Sequence, residues 1–480
     1  MPQSSQFSES KRKLLEKYLR QGVLRSGSMD EIGPRPPGVL VPLSLSQEQV
    51  LRQAENLEDT PPAFVECFTM HRTGLLDLPV LERCLAEILR RHEIWRTSYE
   101  MKDGQILQDI HPFAKTFPIP VADLRSLPSA EREAAAARFA SEQASLAFDI
   151  QNGPLLRALL VQLDDREFRL YMSAHQSVVD GISVFRIFPL ELTELYEAFS
   201  ADRPSPLPEL PIQFADYAFW QRRQALEAQI TYWEKQLGGD LPPLGWPPAF
   251  LHSPELTQRG AIHPFVWPAD LTNALRKLGR QRGVTLFSIL LAGFSALLHV
   301  YTGQDDIIVG TVSPCGRKRS EVESLLGYFL NPVALRMRVK PDARFLDLLQ
   351  EATDVISGAL THDDVPLEHV ADKLRLKRKP GGNPFFHIAI SLSPDLASLP
   401  AGWRQTYMDV GGGGSRWPLY MEFSDRSTGL TGRAQYNPDF FDIAVLQRTL
   451  EDLEALLEKV CSHPERTLSE LRPDTVAKSP

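Results

Sequence analysis

The sequence is short of several things at once. Its four cysteines (Cys67, Cys84, Cys315 and Cys461) are scattered, with no paired ligand spacing. That argues against a disulfide framework or a zinc site and for free thiols in a reducing cytoplasm. No apolar run reaches the roughly 18 residues that span a bilayer, and the polar stretch after Met1 lacks a signal-peptide pattern. A basic excess is missing too: 52 Lys and Arg against 61 Asp and Glu leave a formal charge of -9. Neither nucleic acid nor a membrane is therefore expected as a partner. No short-period repeat is visible. What remains is an ordinary globular composition, 43% hydrophobic and 24% charged, over 480 residues. That length is too great for one small core and predicts two domains or two large lobes.

Residues 8–20, "SESKRKLLEKYLR", have leucines at helical spacing, and "RSGSMDEIGPRPPG" reads as a linker. Folded structure is expected from about Val41. "LDLPVLERCLAEILRRHEIWRT" predicts an amphipathic helix with Leu81, Leu85 and Ile88 on one face. "LLRALLVQLDDREFRLYMSAH" predicts a hairpin turning at "LDDRE". After the proline-rich "SADRPSPLPELP", the stretch "FADYAFWQRRQALEAQITYWEKQL" predicts helix, and "LPPLGWPPAF" ends it. The lobe boundary is expected between about 200 and 260. The second half repeats the rhythm of helices and strands, so two mixed α/β lobes fit better than one doubly wound sheet.

"MSAHQSVVDGIS", Met172–Ser183, carries the chemistry. A strand ends near Ala174, a tight loop presents His175, Gln176 and Asp180, Gly181 permits a sharp turn, and a helix starts near Ile182. Two readings stand side by side. The loop is a catalytic turn; or Asp180 is the N-cap of the next helix, helped by Ser183, and His175 is a buried histidine bonded to backbone. A metal is disfavoured, since His175 and Asp180 have no third ligand nearby in sequence.

The stretch resembles the His-His-x-x-x-Asp-Gly motif of nonribosomal peptide synthetase condensation domains, within the chloramphenicol acetyltransferase-like superfamily. Further stretches match in the family's order: "VPLSLSQEQV", "RRHEIWRTSYE", "FDIQNGPLLRALL", "FADYAFWQ" with "YWEKQL", "DIIVGTVSPCGRKRSEVESLLGYFLNPVALR", "HDDVPLEHVADKL" and "GGNPFFHIAISL". The resemblance implies an α/β (α+β) fold of two acetyltransferase-like lobes in a V-shaped pseudo-dimer around a tunnel. It divides the chain into a leading helix and linker (1–40), an N-terminal lobe (41–205), crossover helices and linker (206–260) and a C-terminal lobe (261–480). Donor and acceptor carrier proteins would bring phosphopantetheine arms to the tunnel from its two ends. Adjacent synthetase domains are further expected partners, and no cofactor is expected on this chain.

Carried over residue by residue, His175 matches the mainly structural first histidine, and Gln176 stands where the catalytic second histidine belongs. Asp180 matches the aspartate that pairs with an arginine of the second lobe, here Arg317 in "PCGRKR". Gly181 matches the glycine whose N–H lies near the thioester, with Ser183 beside it. Asn331 and Trp417 match positions near the tunnel. The turn is expected to project Gln176 into the tunnel, with His175 facing the other way. Glutamine has no useful pKa near neutrality, so the general base is missing, at a typical cost of ~10²–10⁴ in rate. Two functions follow. One is an amide-forming condensation domain, impaired or altered. The other is a silent domain on the same fold that binds a carrier protein or recruits a tailoring oxygenase. Epimerisation would need the same histidine. Cys315, beside the Gly-Arg loop, is not expected to act as a nucleophile.

Overall fold

The computed structural model describes residues 31–54, 64–241, 244, 257, 259–340, 342–376, 383–393, 396–407, 411–426 and 429–472. The expected leading helix at 8–20 and most of the second proline cluster lie outside them. Folded contacts begin before Val41: Ile32 is buried, and Arg35 pairs with Asp216 at 2.8 Å and Glu93 at 2.9 Å. The linker-like composition of this stretch concealed those anchors.

Among the described residues, fourteen strands form three sheets. β1 (Val41–Pro42), β3 (Thr97–Lys102) and β4 (Gln105–Ile110) make a small sheet in the order β1-β4-β3. The first half's main sheet is built on β2 (Val65–Thr73), β5 (Val121–Asp123), β6 (Leu156–Asp164) and β7 (Glu167–His175). The β6–β7 pair is the hairpin read from the sequence. The second half supplies β8 (Ala261–Val266), β9 (Asp306–Ser313), β10 (Asn331–Arg338), β11 (Ile388–Ser393), β12 (Trp403–Tyr407), β13 (Leu419–Arg426) and β14 (Gly429–Tyr436). Six of these form a mixed sheet in the order β10-β9-β11-β13-β14-β8. Helix Leu78–Arg91 forms where its periodicity predicts; Asp77 caps it, accepting from Val80 N–H at 3.1 Å, and Leu81, Leu85 and Ile88 are buried. Helix Leu286–Thr302 sinks almost whole into the second core.

The remaining strand of the second half does not stay there. β12 joins the first sheet antiparallel to β2, giving the order β12-β2-β7-β6-β5, with Trp403 opposite Arg72 and Tyr407 opposite Phe68. Val322, Leu325, Leu326 and Phe329 likewise pack into the first half's core. The chain therefore returns twice after its main crossing. The expected single helix at 214–237 is two, Phe214–Gln221 and Glu227–Leu237. Each answers to a different core. Phe214 and Tyr217 pack in the first, where the Gln221 side-chain carbonyl accepts from Leu45 N–H at 2.9 Å and Arg222 Nε donates to Leu43 O at 2.7 Å. Trp233 and Leu237 pack in the second, where Trp233 Nε1 donates to His362 O at 2.6 Å.

A proline makes one of these returns possible. Pro189, just past the wide helical turn Ser183–Ile187, has no N–H to give the carbonyl of Phe185 four residues earlier. That carbonyl instead accepts from Ala397 N–H at 2.9 Å and Gln405 Nε2 at 2.8 Å, both on the segment that leads into and through β12. Among the described residues no single helix is long and apolar enough to cross a membrane; one pair, Ala269–Arg282 with Leu286–Thr302, passes by length and composition only together and is bent by 107°. No group of three potential metal ligands occurs among them.

Candidate functional site

Register delivers the loop. Val65 on β2 faces His175 at the end of β7, and Gln176 N–H donates to Phe64 O at 2.8 Å. A single 3-10 turn, Gln176–Val178, follows. Gln47, from "SLSQ", braces it by donating to Ser177 O at 3.2 Å and to the Tyr99 hydroxyl at 3.0 Å. His175 is buried, with Nδ1 2.7 Å from Ser177 Oγ and its ring edge-on to Phe148. Burial pushes its pKa down to about 4. It is a neutral, locally bonded histidine whose partner is Ser177, not Gln176.

Asp180 and Arg317 meet across the two halves. Arg317 Nη2 donates to Asp180 Oδ1 at 2.9 Å and Nε to Oδ2 at 3.1 Å. Asp180 also accepts from Ser183 N–H at 2.8 Å, Ser183 Oγ at 2.9 Å and Phe329 N–H at 3.2 Å. The capping reading and the ion-pair reading of Asp180 thus hold together. Ser183 Oγ lies 3.1 Å from both N and O of Gly327, whose φ of 153° and tight approach to the Phe214 ring leave no room for a Cβ. A second tie comes from "RRHE": Leu326 N–H donates to His92 Nδ1 at 3.3 Å, and His92 Nε2 lies 2.9 Å from Glu191. Burial pushes the Glu191 carboxyl upward, but His92 and Arg91 outweigh it and hold it below its usual range. Gly181 is half-buried at the start of the following helix, and a Cβ there would come within 3.1 Å of the Phe185 ring.

Gln176 has a different setting from the one expected. Its amide does not project into open space; the residue is 9% exposed and held at both ends. Nε2 donates to Glu66 Oε1 at 3.0 Å, and Oε1 accepts from Arg416 Nη1 at 2.8 Å. The reverse orientation would set donor against donor, so two charged residues fix the amide. Arg416 also lies 3.4 Å from the Tyr328 hydroxyl, over Phe64 (5.2 Å) and Trp417 (4.9 Å). Neither Glu66 nor Arg416 was singled out from the sequence.

Two expected tunnel residues are placed otherwise. Asn331 is 1% exposed, and its amide nitrogen bonds Asp363 O at 2.7 Å and Val365 O at 2.8 Å. It clamps a buried loop, because the first residue of β10 faces the core. Trp417 is also buried, tilted against Phe386, edge-on to Tyr420 and beneath the Arg416 guanidinium, which links it to the site. The Cys315 thiol is buried and donates to Phe329 O; burial pushes its pKa well above the usual thiol range.

A cavity of about 720 Å³ opens between β12 and the β13-β14-β8 side of the larger sheet. Gln405 and Thr406 line one side, the buried Glu422–Arg433 pair the other, with Gly411, Gly413 and Gly414 between them. Gln176 is not among its lining residues. The segment that borders it runs on, two residues past Gly414, to the arginine on Gln176.

Comparison with known proteins gives consistent matches. The family model described as "Condensation domain" matches residues 40–476. A linear gramicidin synthase of Brevibacillus parabrevis is 34% identical over 91% of this chain and 6% of its own length. A phosphinothricin tripeptide synthetase of Streptomyces viridochromogenes is 32% identical over 95% of this chain and 42% of its own. The chain thus spans less than half the length of these relatives. Among solved structures, the X-domain from teicoplanin biosynthesis superimposes with a TM-score of 0.80 at 24% identity, over 92% of this chain and 100% of that one. The first condensation domain of the calcium-dependent antibiotic synthetase gives 0.76 at 20% identity, over 90% and 99%.

Proposed function

The chain belongs to the condensation domain family of nonribosomal peptide synthetases and has its chloramphenicol acetyltransferase-like fold, and from that premise we propose that it joins a carrier-bound acyl or peptidyl thioester to a carrier-bound amine, forming an amide. The amine nitrogen attacks the thioester carbon, the C–S bond breaks, and the phosphopantetheine sulfur leaves as a thiolate that takes up, through water, the proton the nitrogen loses. Gln176 positions the amine and does not deprotonate it. Its carbonyl oxygen is the hydrogen-bond acceptor, and positioning is itself worth up to ~7–11 kcal/mol in favourable model systems. Gly181 lies beside the thioester, and Asp180, Ser183 and Arg317 hold the two halves in register around it. The observation that carries this reading is the complete set of bonds on Asp180, which keeps the loop bearing Gln176 in one geometry. Donor and acceptor carriers with their phosphopantetheine arms, and neighbouring synthetase domains, are the partners, in the cytoplasm.

A second reading has its own observation: the Gln176 amide is already occupied at both ends by Glu66 and Arg416. In that reading the domain is silent in chemistry and binds a carrier or a tailoring oxygenase. One solved structure of this fold is a complex of the teicoplanin X-domain with OxyB. Loaded donor and acceptor carriers, assayed by mass spectrometry for amide product, decide between the two. The first reading expects slow turnover by the native chain, loss in Gln176→Ala, and a gain of no more than ~10²–10⁴ in Gln176→His. No amide from any variant, together with tight binding of an oxygenase, would establish the second.

A further inference from the structure

The groups around Arg416 have a chemistry of their own. Phe64 and Trp417 present rings to its guanidinium at 5.2 and 4.9 Å, while the Gln176 carbonyl and the Tyr328 hydroxyl lie 2.8 and 3.4 Å from Nη1. The Glu66 carboxylate bonds the far end of the same amide. The Tyr328 phenol, raised mainly by burial, responds to both Arg416 and Glu66, which puts the two charges within electrostatic reach of one group. Aromatic faces, a carboxylate and neutral oxygens are what holds an ammonium or guanidinium ligand in a protein. Phe64, Glu66 and Gln176 come from the first half; Tyr328 and Trp417 come from the second. Arg416 follows the run Gly411–Gly414, whose last two carbonyls accept from Gly260 N–H at 2.7 Å and Gln435 Nε2 at 2.8 Å, so its withdrawal is a rotamer change of the long side chain and not a swing of the backbone.

We infer that Phe64, Glu66, Gln176, Tyr328 and Trp417 form a cation-recognition site that the chain's own Arg416 fills, and that the ligand it takes when Arg416 withdraws is a primary ammonium or guanidinium group. For amide formation, on which this consequence alone rests, that ligand is the acceptor amine in its resting, protonated form, which gives up a proton to water before its nitrogen attacks the thioester. Arg416 then competes with the acceptor for the Gln176 carbonyl.

Chemical rescue tests the site without any condensation assay. In Arg416→Ala, methylguanidinium or ethylammonium should bind saturably and raise the Tm, by about 1–2 °C at ten times its Kd. Uncharged methylurea, of the same shape as methylguanidinium, should not. The native chain should show no such rise, and Arg416→Ala combined with Glu66→Gln should lose it. If Arg416→Ala folds only with the cation present, soluble yield reads the same effect, and Arg416→Met, which keeps the volume between the rings, provides a second background. Equal rises with methylurea, in the native chain or in the double variant would overturn the site, as would no rise in either background. In carrier assays Arg416→Ala should lower KM for the acceptor several-fold. If no variant makes amide while rescue persists, the enzyme reading falls and the cation site stands. Turnover without rescue does the reverse.

Discussion

Asp180→Ala should destabilise the protein far more than a single side chain usually does. The carboxylate has no exposed side-chain surface, and Arg317 opposite it is 6% exposed. Removing Asp180 strands a guanidinium in a dry interior and orphans the N–H groups of Ser183 and Phe329. Breaking a buried pair from one side costs about 3–5 kcal/mol. At about 1 kcal/mol per degree for a chain of this length, that is a fall in Tm of roughly 3–5 °C. Arg317→Met should cost a similar amount, because Arg317 also donates to the carbonyls of Val322 and Leu325 at 3.0 and 2.7 Å and lies over Phe329. The pair Asp180→Ala with Arg317→Met leaves neither charge unpaired. Its loss should fall short of the sum of the two single losses by at least ~2 kcal/mol. Scanning calorimetry and urea unfolding of all four proteins give the cycle. Additivity within ~0.5 kcal/mol would refute the coupling, since independent sites behave that way. A large loss of activity in Asp180→Ala at unchanged Tm would move Asp180 from holding the halves together to the chemistry itself.

Acid should weaken the fold through its buried histidines. His175 is held down to about 4 by burial, and His71 to about 3 by burial with Arg169 and Arg404. Both folded values lie below the unfolded one near 6.5, so the stabilisation is full above that pH and is lost as pH falls through the folded values. Between pH 6.5 and 5, His175 alone should cost about 1.5 kcal/mol in urea unfolding. His175→Gln should flatten that slope; an equally steep slope in the variant would contradict it. Cys315→Ser should leave any amide formation unchanged, because the thiol is sealed and protonated; a large loss by mass spectrometry would overturn that. Gly327→Ala should lower the Tm, since its Cβ would sit 2.2 Å from the Phe214 ring at a φ that L-residues avoid, with a cost of at least ~1–3 kcal/mol. An unchanged Tm would mean that this corner repacks freely.

The loop from His175 to Ser183 was legible because its parts are local: a strand end, a glycine, a capping aspartate. Arg317 was legible only by likeness to a family. Glu66 and Arg416 were not legible at all. They lie 110 and 240 residues from Gln176, and nothing in "VECFTM" or "GGGGSRW" says that they face the same amide. The signals they did leave are a lone acid in an apolar strand and an arginine beside a tryptophan after four glycines. Asn331 was misplaced for the opposite reason. Its motif was clear, but which way the first residue of a strand faces depends on register with β9, which no local pattern fixes. The helix break after Gln221 was missed because its cause is two distant cores pulling on successive turns, while the propensity of the segment is helical throughout.

β12 sets a timetable for synthesis. β2 becomes an edge of the first sheet once β7 (Glu167–His175) pairs with it, and it stays open until Trp403–Tyr407 has left the ribosome, about 230 residues later. At elongation rates of about 5–20 residues per second, that edge waits roughly 10–45 s with Val65, Cys67 and Phe68 on its strand. Open apolar edges recruit other strands. The nascent first half is therefore the stage at which this protein is most exposed to aggregation, and a chaperone acting there would raise the yield more than one acting on the completed chain.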